Sequence, residues 1–338
     1  MGLHRRLWFR LTVSVGLIGL LVWRVNIREA LETLTEANYV YVAAALPIYS
    51  LSKLVDAYRW RLMLRRMGSP PVLGLYGIYL ASNLANVLMP LRVGDIMRVQ
   101  APARRYGLPR GGLTATVFVV ESLLDGAAFI ILLLIALLFL DVPNLPLGLL
   151  WALIVAVAAG LAAAVVASRL QLSEGWQERG MFGRLPEAIR RAAARPIPEF
   201  LDGLALLRDP FLGAQALSAT FLAWLLETVV FALLGLTFGL DLGFADYLVI
   251  MVTANMIVAM PVAPSNIGPY EVAVAGVTVL LGVESALAGG YAIGSHLLII
   301  AWVGVTGLLA TSLLGLELGD LFYLGRRAQG EEEGERRP

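Results

Sequence analysis

The chain has 338 residues, of which 59% are hydrophobic and 15% charged, with a formal net charge of +1 and a mean hydropathy of +0.77. Soluble domains average about a quarter charged residues, so the composition excludes an ordinary soluble fold and requires a polytopic integral membrane protein. The absence of cysteine excludes disulfides, thiolate metal sites and thiol catalysis.

Several apolar windows exceed 18 residues, enough to cross about 30 Å of hydrocarbon at about 1.5 Å per residue. The first, about 7–24, follows Arg5, Arg6 and Arg10 like a signal peptide, but bulky and charged Trp23-Arg24-Val25-Asn26 replaces a cleavage site, so it reads as a retained helix. Basic clusters at Arg5–Arg10, Arg59–Arg66, Arg92–Arg110, Arg169–Arg208 and Arg326–Arg337 belong in the cytoplasm, and the links Asn26–Glu36, Asp141–Pro146 and Asp241–Asp246 outside. Helix one then goes out and helix two, about 40–63, returns. If Val72–Pro90 crossed fully, Arg92, Arg98, Arg104, Arg105 and Arg110 would lie outside and every later loop would invert. The charge rule therefore predicts a re-entrant hairpin over about 72–110, turning near Asn86–Gly94. Helices about 114–140, 147–168 and 211–238 follow, with a cytoplasmic amphipathic segment over about 169–210.

A second hairpin is predicted over about 247–283. Its arms of about 16 residues flank Met260–Pro269, where three prolines and a glycine cannot stay helical. A last helix, about 286–315, returns to a charged tail at 326–338. The fold class is thus all-α: about six transmembrane helices plus two re-entrant hairpins, one domain over 1–325, with both termini cytoplasmic in the cell membrane. The two breaks echo one another, each with Asn, then Met-Pro, then Gly and an acid (Asn86, Met89-Pro90, Gly94-Asp95; Asn255, Met260-Pro261, Gly268, Glu271). Hairpins entering from opposite faces are the inverted repeat of transporters, whose broken helices meet near the midplane. Such backbone at membrane depth needs a protein cover or a watery cavity; the bland alternative is prolines that shape a packed bundle.

Charges inside these segments cost about 2.5–3.5 kcal/mol each on insertion scales, so they turn inward, pair or line water. Lys53, the only lysine, Asp56 and Arg59 share one face at i, i+3, i+6, as a structural ion pair or part of a path, with Arg59 alternatively snorkelling to the interface. Glu121 and Asp125 share a face at i, i+4 and suit pairing with Arg92 or Arg98. Glu227 has no basic neighbour in sequence and needs a partner from another helix. Glu271 begins the second hairpin's return arm, and His296 reads as a satisfied polar residue. Arg92 and Arg98 beside the first turn are candidates for gripping a phosphate through guanidinium forks, aided by amides of a helix starting near Gly94, or are plain positive-inside anchors.

No nucleotide, hydrolase or zinc-protease motif occurs, so no enzymatic role, cofactor, metal or nucleic-acid partner is expected. Asn86–Pro90-Leu91-Arg92-Val93-Gly94-Asp95–Arg98 resembles the N-x-x-x-P-x-R-x-G-[DE]-x-x-R signature of the lysylphosphatidylglycerol synthase transmembrane-region family, a flippase-like domain. Val120-Glu121-Ser122–Asp125 resembles its E-R-x-x-D helix, departing at Ser122, and Pro261 to Glu271 resembles its P-x-x-x-G-x-G-x-x-E turn, with Asn266 at a glycine position. The resemblance covers about 5–325. It implies flipping or scrambling of an amphiphile, such as an aminoacylated phospholipid or polyprenyl-linked sugar, without the soluble aminoacyl-transfer domain. The expected substrate path comprises Arg92, Arg98, Asn86, Asp95, Glu121, Asp125, Glu227, Asn266, Glu271, Lys53, Asp56 and Arg59. Two rivals stay open: a secondary transporter of a small polar solute, and a scaffold for a partner glycosyltransferase or lipid-modifying enzyme.

Overall fold

A computed structural model describes residues 38–89, 92–139, 147–169, 187, 195–260 and 264–314. The predicted first helix, the 141–146 link, most of the 169–210 segment and the charged tail lie outside the described residues. In chain order the helices are α1 (Val40–Leu64), α2 (Val72–Leu88), α3 (Val93–Tyr106), α4 (Arg110–Leu137), α5 (Leu147–Arg169), α6 (Pro196–Gly203), α7 (Pro210–Thr237), α8 (Phe244–Ala259), α9 (Pro269–Leu280) and α10 (Ser285–Leu313). No strand occurs among the described residues. α1, α4, α7 and α10 are each long and apolar enough to cross a membrane. The protein is an all-α, multi-pass membrane protein.

Local chemistry sets several ends. α7 begins where the Asp209 carboxylate accepts the amides of Phe211 and Leu212, each at 3.1 Å. Pro210 fills the first helical position, where a missing N–H leaves nothing unpaired. α4 starts at Arg110, four residues ahead of the expected 114. Six of its residues, Ala115–Val120, wind as a wider π-turn immediately before Glu121. Such turns shift the register of whatever follows, and they gather at functional sites.

Apolar packing divides into two clusters stacked along the long helices. One gathers Trp60, Leu64, Leu75, Leu113 and Leu204 from α1, α2, α4 and the turn after α6. The other gathers Val230, Tyr247, Ile250, Val274 and Tyr291 from α7 to α10. α1, α4 and α7 run through both. Their charged residues therefore fall between the clusters, near mid-length of each helix. The described part of the 169–210 segment folds into this packing: Leu204, Ala205 and Leu206 are buried, and Glu199 accepts the Gly111 amide at 3.0 Å.

The interrupted helices are short for a crossing, with 17 residues in α2, 16 in α8 and 12 in α9. A full span takes about 20. α3 packs tightly back on α2 at Gly94, where an added Cβ would overlap the Ser82 carbonyl oxygen and the Asn86 carboxamide. A backbone oxygen cannot swing aside. Gly94→Ala is expected to destabilise the protein by about 1–3 kcal/mol, the usual range for overpacking. A lower melting midpoint of the detergent-solubilised protein would register it; an unchanged one would show that the hairpin has slack.

Candidate functional site

The first break lies between Leu88 and Val93. Met89 is extended and Arg92 is left-handed, at φ 54°, ψ 47°. Asn86 bridges the turn: its Oδ1 accepts the Gly94 amide at 2.7 Å and its Nδ2 donates to Asp95 at 3.2 Å. The Gly94 amide predicted for an anion is thus already taken by Asn86. Arg92 pairs with Asp95 through Nε at 2.7 Å and keeps 39% of its side chain exposed.

The second break lies between Ala259 and Pro269. Met260 is extended, while Ser265 and Asn266 are left-handed at φ 49° and 53°. Asn266 donates to the Val258 carbonyl at 3.2 Å. Glu271 caps α9 by accepting the Gly268 amide at 2.6 Å, and its other oxygen meets His296 Nδ1 at 2.6 Å. His296 stacks on Tyr270, with ring centroids 3.9 Å apart. It is the satisfied polar residue the sequence indicated. Arg92, Ser265 and Asn266 are the non-glycine residues with positive φ among those described. Each such conformation costs about 1–3 kcal/mol and persists where the surroundings enforce it.

The breaks touch. Arg92 Nη1 donates to the Ala259 carbonyl at 2.9 Å, and Ser265 Oγ donates to the Val87 carbonyl at 2.6 Å. Each hairpin gives one side chain and one carbonyl.

Beside them lies the charged layer. The helical spacing that put Lys53, Asp56 and Arg59 on one face aims them at α4 and α7. Lys53 pairs with Glu227, with Asp56 at 3.4 Å, and lies over the rings of Tyr49 and Trp224. The missing partner of Glu227 is therefore Lys53. Arg59 meets Asp125, Asp56 at 3.2 Å and Glu121 at 3.2 Å. At 2% exposure Arg59 does not snorkel, because three carboxylates hold it inward. Arg98 makes a two-point contact with Glu121 at 3.0 and 2.5 Å, between the rings of Trp60 and Tyr79. Of the pairings expected for Glu121 and Asp125, the one with Arg98 forms at Glu121, whereas Asp125 turns to Arg59 and accepts from Trp224 Nε1 at 3.1 Å.

A cavity of about 530 Å³ opens between this layer and the breaks. Lys53, Arg59, Asn86, Arg92, Glu121, Asp125, Glu227 and Asn266 line it. Asp56, Asp95, Arg98 and Glu271 do not; they hold the residues that do. Arg98 in particular is buried at 5% exposure and committed to Glu121, so it stands apart from the half-exposed Arg92. Sequence reasoning left out Tyr49, Tyr79, Asn83, Trp224, Asn255 and Tyr270, which also line the cavity. Their signal was position: Tyr49 precedes Lys53 by four residues, Trp224 precedes Glu227 by three, and Asn255 occupies the second break's place in the echo. Among the described residues no group of three or more His, Asp or Glu is placed to hold a metal ion.

Comparison with known proteins fits this architecture. Over 101 residues, 30% of the chain, it is 29% identical to a UPF0104 membrane protein of Methanothermobacter thermautotrophicus. Over 111 residues, 31% of the chain, it is 30% identical to Glycosyltransferase AglD of Haloferax volcanii. The matched stretches span 30% and 18% of those proteins' own lengths, under a third of either curated relative. Residues 7–307, which carry both breaks, the charged layer and the cavity between them, match the profile described as Lysylphosphatidylglycerol synthase TM region; the chain belongs to that family.

Proposed function

We propose that the protein flips or scrambles an amphiphilic lipid between membrane leaflets, its headgroup passing through the cavity while its tails stay in the bilayer. The observation that carries this reading is the meeting of two interrupted helices over a polar cavity at mid-length of the long helices. Broken backbone at membrane depth is tolerated where protein covers it or where it lines water, and opposed re-entrant hairpins would supply that in inverted arrangement. The wall itself is mixed. Charged and amide groups line it together with the apolar side chains of Met256, Val258, Ile299, Ile300 and Val303. That suits a molecule with a polar head and an apolar tail, and the family description names a phospholipid.

In this reading Arg92 holds the phosphate. Its guanidinium is half-exposed, spends one edge on Asp95 and donates Nη1 to a backbone carbonyl, leaving donors for an anion. Glu121, Asp125 and Glu227 line the path, and Arg98, Asp56, Asp95 and Glu271 set their geometry. The role is transport rather than catalysis, in a single domain over 1–325 of the cell membrane with cytoplasmic termini. A glycosyltransferase or other lipid-modifying enzyme would supply or consume the lipid.

Purified protein in liposomes should equilibrate a fluorescent phospholipid across the bilayer faster than protein-free liposomes do. Arg92→Ala should slow it about ten- to a hundredfold, matching the loss of a charge-assisted bond of about 1.5–3 kcal/mol. Equal rates for the two proteins would remove the arginine's role. No acceleration by the unaltered protein, for any lipid, would defeat the reading.

A further inference from the structure

Six acids stand in or directly behind the cavity wall: Asp56, Asp95, Glu121, Asp125, Glu227 and Glu271. Against them stand Lys53, Arg59, Arg92 and Arg98, with His296 on Glu271. Even with His296 charged, acids outnumber cations by one.

The excess has an address. Both oxygens of Glu121 receive Arg98, and those of Glu227 receive Lys53 and Asn255. Asp56 faces Arg59 with one oxygen and Lys53 with the other. Asp95 meets Arg92 and Asn86, and Glu271 meets His296 and the Gly268 amide. Asp125 differs. Arg59 and Trp224 both donate to its Oδ1, and its Oδ2 accepts a hydrogen bond from none of the described residues. Its side chain is 20% exposed, the most of the six, and it lines the cavity.

The elements around Asp125 do not supply the missing charge. α1 brings Arg59, already shared with Asp56 and Glu121, and Lys53, which pairs with Glu227 of α7. Arg98 of α3 is spent on Glu121, one turn away on α4 itself. α5 has no charged residue before Arg169, α8 brings none to the cavity, and α6 packs at the far end of α4, where Glu199 holds Gly111. A carboxylate left uncompensated at membrane depth is unfavourable, and it neutralises where a proton can reach it. Two other lining residues carry buried polar atoms without partners, the Tyr270 hydroxyl and Asn266 Oδ1. Orphans of this kind call for water in the cavity, and water carries protons.

We infer that Asp125 Oδ2 is a proton-binding site and that its proton travels with an anionic lipid headgroup, so that the movement is proton-coupled. The inference rests on the lipid reading above and adds its energy source. Hydronium in the cavity gives up one proton, Oδ2 gains the O–H bond, and water is left; release reverses the step. With the excess charge removed, a phosphate reaches Arg92 in a space that otherwise repels it. Proton and phosphate thus favour each other by the same factor.

The full chain in liposomes tests this with acyl-fluorescent phosphatidylglycerol, whose headgroup carries one negative charge, under an imposed pH difference. One unit should enrich the lipid up to about tenfold in the leaflet facing the alkaline side, since one proton per lipid carries that factor. Asp125→Asn should show no enrichment, and Asp125→Glu should restore it. Infrared difference spectra between acidic and alkaline buffer read the site without transport: a protonated-carboxyl band should appear in the unaltered protein and in Asp125→Glu, and be absent from Asp125→Asn. Equal leaflets in the unaltered protein despite the gradient would overturn the coupling and leave lipid movement standing. The absence of a band, or a band that Asp125→Asn retains, would overturn the proton site. Lysyl-phosphatidylglycerol moving at least about tenfold faster than phosphatidylglycerol, with no dependence on pH, would seat a lipid ammonium on Asp125 and overturn the inference. If no lipid moved while the band behaved as expected, the lipid reading and the coupling would fall and the proton site would stand.

Discussion

Arg59→Ala is expected to be the most damaging single substitution among the charged residues, abolishing most folded protein rather than merely slowing transport. Arg59 is 2% exposed and gathers three carboxylates from two helices. Without it, Glu121 retains Arg98 and Asp56 retains Lys53 at 3.4 Å, but Asp125 keeps only the indole N–H of Trp224. Breaking one buried pair costs about 3–5 kcal/mol, against a total stability of about 5–15 kcal/mol for a typical protein. Arg59→Lys should rescue little, because one ammonium cannot reproduce a planar fork reaching three acids. Arg59→Met combined with Asp125→Asn should recover part of the loss by withdrawing the most exposed of the stranded charges. Yield and melting midpoint in detergent provide the measurement. A midpoint for Arg59→Ala within a degree or two of the unaltered protein would show that the charged layer is not what joins α1 to α4.

The second large effect is expected at Lys53 and Glu227, where it should depend on whether one partner or both are removed. Lys53→Met leaves Glu227 at 3% exposure with only the Asn255 amide beside it. A loss of about 3–5 kcal/mol follows. Glu227→Leu strands Lys53 less severely, since Asp56 and two aromatic rings remain. The double variant should be far more stable than the sum of the two losses predicts, because apolar groups of similar size often replace a buried pair without penalty. A double-mutant cycle on melting in detergent isolates the coupling. Strictly additive losses would show that the pair acts independently in stability. Folded double variant that still moves lipid at full rate would separate this pair from transport.

Much of the fold was legible because the membrane constrains it. The positive-inside rule and the apolar windows placed helices at about 40–63, 147–168, 211–238 and 286–315, against Val40–Leu64, Leu147–Arg169, Pro210–Thr237 and Ser285–Leu313. The breaks were legible in Met89-Pro90 and in the proline run after Met260, since local backbone chemistry decides them. The i, i+3 and i, i+4 spacings told which charges share a face. They could not tell which face meets which. Arg98 sits one turn beyond Gly94-Asp95, and only the packing of α3 on α2 determines that it points at Glu121 while Arg92 points at the second hairpin. The π-turn at Ala115–Val120 was also beyond sequence reading: four of its six residues are β-branched, which weakens a helix without saying where an extra residue enters it. The aromatic lining was missed for a related reason. Tyr49, Tyr79 and Trp224 look like any apolar helix residues until three helices bring them around one space.

The reciprocal hydrogen bonds between the hairpins carry an evolutionary and mechanical corollary. Both acceptors, Val87 and Ala259, contribute only main-chain oxygens. Any residue can supply those, so the clasp itself depends on side-chain identity only at Arg92 and Ser265. Because the donors face in opposite directions across the seam, sliding either hairpin strains both links at once, and a partial release is disfavoured. The clasp should therefore let go as a unit, giving the two broken helices two distinct positions and little in between.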